Sequence, residues 1–183
     1  MTHAFPCGTL FLDFVGTLRA RRNAAPKEML AHPESLDDWF VESGMVDAAP
    51  GADEADLAIA LDLREAIYSV TAARLAGEPL PAAALAEVNR QAAGLPVRVQ
   101  LGADGTRRRT GSVSQGLAVL ARETVEILGG VEGALLRECS RPECTQVYID
   151  RSRGPRREWC SMKTCGNRVK AAAYRARRQS QKS

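Results

Sequence analysis

A chain of 183 residues, 45% apolar and 5% aromatic, is long enough for one ordinary domain with a small appendage, and can bury a core. It has no apolar run of membrane-spanning length. Its opening lacks a basic leader and is interrupted by Asp13, so neither a membrane span nor a signal peptide is expected, and a cytoplasmic setting with reduced thiols is. The net charge of +3 conceals an asymmetry: from Arg137 onward 13 Lys+Arg face 4 Asp+Glu, a net of +9, while the preceding residues carry −6.

Leu10, Phe11, Phe14, Val15 and Leu18 recur at helical spacing, so a helix is expected over 8–18, with Gly16 a weak point inside it. Polar, Pro-interrupted 19–31 reads as a loop. Ser35 with Asp38 resembles a capping box for a short helix that ends before Gly44 and turns Trp39 and Phe40 inward. After a Pro/Gly connector at 48–52, a long helix is expected over 53–76. It has acidic residues in its first turn, Gly77 at its end, and a broad apolar face that includes Ile59, Leu63 and Ile67. A third helix begins near Pro81 and ends at Gly94, with Leu85, Val88 and Ala92 as its buried stripe.

The period then changes. Alternation over 95–101 predicts a half-buried strand, followed by a turn and a partner strand at 106–110. Ser112 with Gln115 forms a second capping box, and its helix runs to Gly129-Gly130. The fold class is therefore mainly α with a small β-hairpin (α+β): a helical N-terminal body followed by a small C-terminal zinc finger with four cysteine ligands.

The finger is read from four cysteines in two pairs, Cys139/Cys144 and Cys160/Cys165, with four residues inside each pair and fifteen between them. Two close pairs brought together by a loop supply four thiolates to one tetrahedral Zn²⁺ of structural type. Free buried thiols or two disulfides are the alternatives. Four protein ligands leave no open position for water, so hydrolytic zinc chemistry is not expected. His3 and His32 lie in weakly structured surroundings, and Cys7 reads as a buried small hydrophobe; no catalytic residue is assigned.

Val147 to Ile149 is a short strand, and a basic turn-rich loop follows with Arg151, Arg153, Arg156 and Arg157. A helix from Asn167 places Arg168, Lys170, Tyr174, Arg175, Arg177 and Arg178 on one half and Val169, Ala172, Ala173 and Ala176 on the other. The small apolar half is expected to pack on the zinc knuckle or the body. The cationic half and the loop form the candidate nucleic-acid surface, since guanidinium forks match phosphates. Asp13 and Thr17, four apart, are candidate contacts for a small effector, set against ordinary local hydrogen bonding.

Around these residues the sequence resembles the CGNR zinc-finger family, through Tyr148-Ile149-Asp150-Arg151-Ser152-Arg153, Trp159-Cys160-Ser161-Met162 and Cys165-Gly166-Asn167-Arg168-Val169-Lys170. The body resembles the ABATE domain, through Leu12-Asp13-Phe14-Val15-Gly16-Thr17-Leu18 and Leu63-Arg64-Glu65-Ala66. The resemblance implies a bacterial, stress-responsive transcription regulator with an ABATE-like body over 1–134 and a DNA-binding finger over 135–183. Two departures stand out: Gly16 replaces the family's usual Asn, and Glu158 intervenes before Trp159. DNA is the expected partner and RNA stays open. A small-molecule effector is allowed, and a homodimer would help a small finger reach useful affinity. Two other readings remain, an adaptor that docks an acidic protein and a thiol sensor that loses zinc on oxidation.

Overall fold

The structure, a computed structural model, describes residues 3–154 and 156–180. Among the described residues six helices alternate with three two-stranded antiparallel ladders: α1 (Leu10–Val15), β1 (Leu18–Arg19), β2 (Lys27–Glu28), α2 (Pro33–Glu42), α3 (Glu54–Ala76), α4 (Ala82–Ala92), β3 (Arg98–Leu101), β4 (Arg107–Thr110), α5 (Val113–Gly129), β5 (Leu136–Glu138), β6 (Val147–Ile149) and α6 (Asn167–Ser180). A 3₁₀ turn (Val131–Leu135) precedes β5, and a π turn (Met162–Gly166) leads into α6. This is the mainly helical body with a small hairpin and a cysteine-bearing C-terminal element.

α3 is the spine of the body. Asp53 caps it by accepting from the Asp56 N–H at 2.8 Å, and Gly77 ends it in the left-handed region at φ 70°. α4 and α5 pack on it, and α1 packs against both α3 and α5. The Ser112–Gln115 capping box opens α5 as its sequence requires. Trp39 and Phe40 are fully buried, with the Phe14 ring edge-on to Trp39 at 5.1 Å.

Several expectations are corrected. α1 stops at Gly16, because the Gln146 amide packs against that backbone. Its Nε2 donates to the Gly16 carbonyl at 3.0 Å, and a Cβ at position 16 would stand 2.2 Å from Gln146 Oε1. Leu18 thereby enters β1, which pairs with β2 inside the segment read as a loop. α2 starts one turn earlier than Ser35. Pro33 fits its first position, and the His32 N–H donates to Ser35 Oγ at 3.2 Å. On α4 the stripe facing the core passes through Ala84, Val88, Gln91 and, as expected, Ala92, leaving Leu85 exposed at its edge; Ile59 on α3 is exposed likewise. The β3–β4 hairpin is not half-buried. Of its apolar residues Val97 at the base is buried, while Val99 and Leu101 are 61% and 79% exposed, and among the described residues no layer covers that face.

A buried cation, Arg64, ties the turn after α1 and the first ladder to the bundle. Arg64 on α3 forks onto Glu28 at 2.6 and 2.7 Å and donates to Thr17 Oγ1 at 3.1 Å. Burial opposes the Glu28 charge, but Arg64 and the Met29 and Leu30 N–H groups hold its carboxyl below the usual range. Stability from this carboxylate is present above its unfolded pKa and is lost as pH falls through its folded one.

Asp13 behaves oppositely. Burial lifts its carboxyl from 3.8 to about 7, although it accepts from the Cys7 N–H at 2.8 Å. Between those values the folded chain keeps a proton that the unfolded chain has lost, so stability falls as pH rises from about 4 to about 7. Asp13→Asn keeps an acceptor for Cys7 and removes the titration. Urea midpoints should therefore rise relative to the parent at pH 8 and converge towards it at pH 4.

Candidate metal centre and nucleic-acid interface

The turns of the finger are short and backbone-bonded. Cys139 N–H donates to the Gln146 carbonyl at 3.0 Å and Cys144 N–H to the Arg141 carbonyl at 2.8 Å, which folds the first cysteine pair around β5–β6. Cys160 lies just before the π turn and Cys165 inside it, and the Gly166 N–H of that turn donates to the Ser161 carbonyl at 3.0 Å. The four ligand sulfurs lie within 4.8 Å of one another.

The geometry tests the ion. Zn–S bonds of about 2.3 Å in a tetrahedron require S···S edges of about 3.8 Å. Cys144–Cys160 and Cys160–Cys165 measure 3.9 and 3.7 Å. All four cysteines are free, so the disulfide alternative, which needs S–S contacts of about 2.05 Å, does not hold. The sulfurs are close enough to hydrogen-bond one another, Cys160 with both Cys144 and Cys165, and a divalent cation would take all four as thiolates. Cys139, Cys144, Cys160 and Cys165 thus form a zinc-binding site that fits one structural Zn²⁺.

Residues 8–131 match the family model ABATE, described as a putative stress-induced transcription regulator. The chain belongs to the ABATE family. Residues 136–178 match the CGNR zinc finger, which encloses all four cysteines. No curated protein matches the chain. Among the described residues of this ABATE chain, no helix is long and apolar enough to cross a membrane.

The arginines of the finger divide by what they already hold. Arg157 donates to the Trp159 carbonyl at 2.8 Å, to Pro6 O at 3.0 Å and to the Cys160 carbonyl, and it covers the Tyr148 ring at 4.3 Å. Its guanidinium is committed to the cage and to the N-terminal segment. Arg151 forks onto Glu132 and reaches the Gly8 carbonyl at 3.4 Å. By contrast, Arg153 and Arg156 are exposed on the loop that Asp150 folds by accepting from the Ser152 and Arg157 N–H groups. Neither Arg156 nor Arg157 forms an ion pair with Glu158.

Arg168, Lys170, Arg175, Arg177 and Arg178 are all exposed on α6. Arg178 lies 5.9 Å from the Tyr174 ring. The expected packing of the small half of α6 does not occur. Val169 is half-buried, Ala172 and Ala173 are exposed, and the Ala176 side chain lies outside the described residues. α6 packs chiefly on its own π turn, because its stripe of alanines is too small to compensate for docking a highly charged helix.

The candidate effector residues are consumed internally. The Thr17 hydroxyl donates to the Phe14 carbonyl at 2.7 Å and accepts from Arg64, while Asp13 accepts from Cys7. They do not share a helix face, since α1 ends at Val15. Cys7 is buried, and burial pushes its thiol well up.

Two positioning residues carry no signal that a reading of motifs would single out. Gln146 joins finger to body through Gly16 and by accepting from Cys7 Sγ at 3.2 Å. Arg141 places a guanidinium nitrogen 3.7 Å from Cys165 Sγ. Arg141 is recognisable only as a cation inside the first cysteine pair; nothing local marks Gln146. Arg157→Ala should cost the finger about 1–3 kcal/mol through carbonyls left without a donor. The expected readout is faster zinc loss to a competing chelator, with the α3–α5 bundle melting unchanged.

Proposed function

We propose that this chain is a zinc-dependent, DNA-binding transcription regulator of the cytoplasm. The finger over 135–183 grips phosphates, and the body over 1–134 senses an effector or mediates assembly. The supporting observation is the set of cations without an ion-pair partner among the described residues: Arg153 and Arg156 on the loop, with Arg168, Lys170, Arg175, Arg177 and Arg178 on α6. They extend from one metal-braced element, so little order is lost on binding. Guanidinium groups predominate, as bidentate phosphate contact favours. Arg151 and Arg157 serve as braces of the finger in this reading. The family description supports a regulatory role.

The test is selection from a random duplex pool, with zinc measured in the same sample. Enrichment of a common sequence by zinc-loaded protein, lost on chelation, is the expected result. Equal retention of DNA with and without zinc contradicts the reading. Failure to retain any duplex moves the basic surface to an acidic protein partner.

A further inference from the structure

We infer that the cavity between the N-terminal segment and the cysteine cage binds a small oxyanion, either a phosphate or a short carboxylate, through Arg19 and Arg168. The cavity measures about 190 Å³ and is lined from both sides of the seam: Arg19 comes from β1, Arg141 and Thr145 from the first cysteine pair and its flank, and Thr164 and Arg168 from the π turn and α6.

Charge decides what fits. The arginines at the seam with the body are already paired: Arg22 on Glu138, Arg21 on Glu65, Arg151 on Glu132. Arg141 is held by Glu143 at 2.5 Å and by Cys165. Arg19 and Arg168 line the same cavity, yet among the described residues neither side chain has a hydrogen bond or ion pair; Arg168 feels Glu143 only at longer range. Within the lining, Arg141 is taken up by Glu143 and Cys165, and this leaves Arg19 and Arg168 as the two guanidiniums without a partner. An anionic head held between them would give each a charge-assisted hydrogen bond.

Size and wall chemistry narrow the ligand. The volume lies below the ~300–1,000 Å³ of sites for drug-sized ligands, which excludes a nucleotide. Thr145 accepts from the Arg21 N–H at 3.3 Å, so its hydroxyl hydrogen is free to donate. Ala4, Pro6 and Ala20 give an aliphatic wall. Ala20 also has φ 53°, the one positive φ outside glycine among the described residues, and this strained turn carries Arg19 to the cavity.

The coupling that follows rests on the proposed function. Arg168 belongs both to the cavity and to the DNA-facing set, so an anion that engages it competes with a DNA phosphate.

The test is calorimetric titration of the zinc-loaded full chain with inorganic phosphate and with propionate at fixed ionic strength, with propionamide as the neutral control. One of the two anions should bind at one per chain, and the arm that responds identifies the headgroup. Arg19→Ala should weaken it about tenfold or more, the loss of one charged hydrogen-bonding partner, and Arg19→Lys should fall between. Arg19 is half-buried and its ladder is backbone-bonded, so the variants should keep their zinc and far-UV spectrum. No binding of either anion, or equal binding by Arg19→Ala, overturns the site. Saturating anion at matched ionic strength should weaken duplex binding by the parent and not by Arg19→Ala. An equal response in both overturns the coupling. Anion binding by a chain that retains no duplex upholds the site and overturns the regulator reading instead.

Discussion

Removing zinc is expected to unfold residues 139–166 and release α6 while the α3–α5 bundle stays helical. β6 is anchored by its buried Val147, Tyr148 and Ile149 and by the Gln146, Arg151 and Arg157 contacts, but the two cysteine turns are short and depend on the ion. The finger's regular structure is the three-residue β5–β6 ladder and one π turn, and four of its buried side chains are the cysteines themselves. In zinc-finger peptides the ion contributes about 10–16 kcal/mol of apparent binding energy, which exceeds any single contact in this chain. α6 depends on the cage as well. Isolated helices shorter than about 12–15 residues are marginal in water, and α6 has 14 residues with no apolar face docked on the body.

Chelation should therefore remove the helical signal of α6 and the hydrogen-exchange protection of the Cys139, Cys144 and Gly166 amides. Cys160→Ser should reproduce both effects without chelator. The bundle keeps its own core, its capped ends and the Arg64–Glu28 pair, so its cooperative melt should persist. Unchanged protection of 139–166 in zinc-free protein would show that the cage does not hold the finger.

What the sequence discloses and what it conceals follow one physical division. Local chemistry is legible. Asp53, Ser112 and Gly77 mark helix ends because capping involves residues within one turn, and the cysteine pairs announce a cage because each pair chelates from one tight turn. Burial is less legible. Val99 and Leu101 alternate as a half-buried strand should, but alternation only prepares a face for burial; the covering layer has to come from elsewhere, and among the described residues none does. The division of the arginines is least legible of all. Arg151, Arg153, Arg156 and Arg157 look alike along the chain, yet partners 19 to 151 positions away, Glu132 and Pro6, take up two of them. Gly16 gives the same lesson: its departure from the family motif has meaning only once Gln146, 130 positions on, is seen against it.

Replacing Arg175, Arg177 and Arg178 together with alanine is expected to lower the slope of log K against log salt for duplex DNA by about 2.7, at about 0.9 for each phosphate no longer neutralised. The three side chains are exposed and have no carboxylate partner among the described residues, so their removal breaks no ion pair there. Alanine is also the better helix former, so α6 should persist and zinc content should not change. The variant thus separates charge from fold, which chelation cannot do. Between ~50 and ~200 mM salt the parent should weaken about fortyfold more than the variant, the fourfold change in salt raised to that difference in slope. Arg151→Ala supplies the contrast, since that guanidinium already neutralises Glu132; its slope should stay close to the parent's. If the triple variant keeps the parental slope, α6 does not lie along phosphates. A parental slope together with reduced affinity for an acidic protein partner would transfer the same surface to protein recognition.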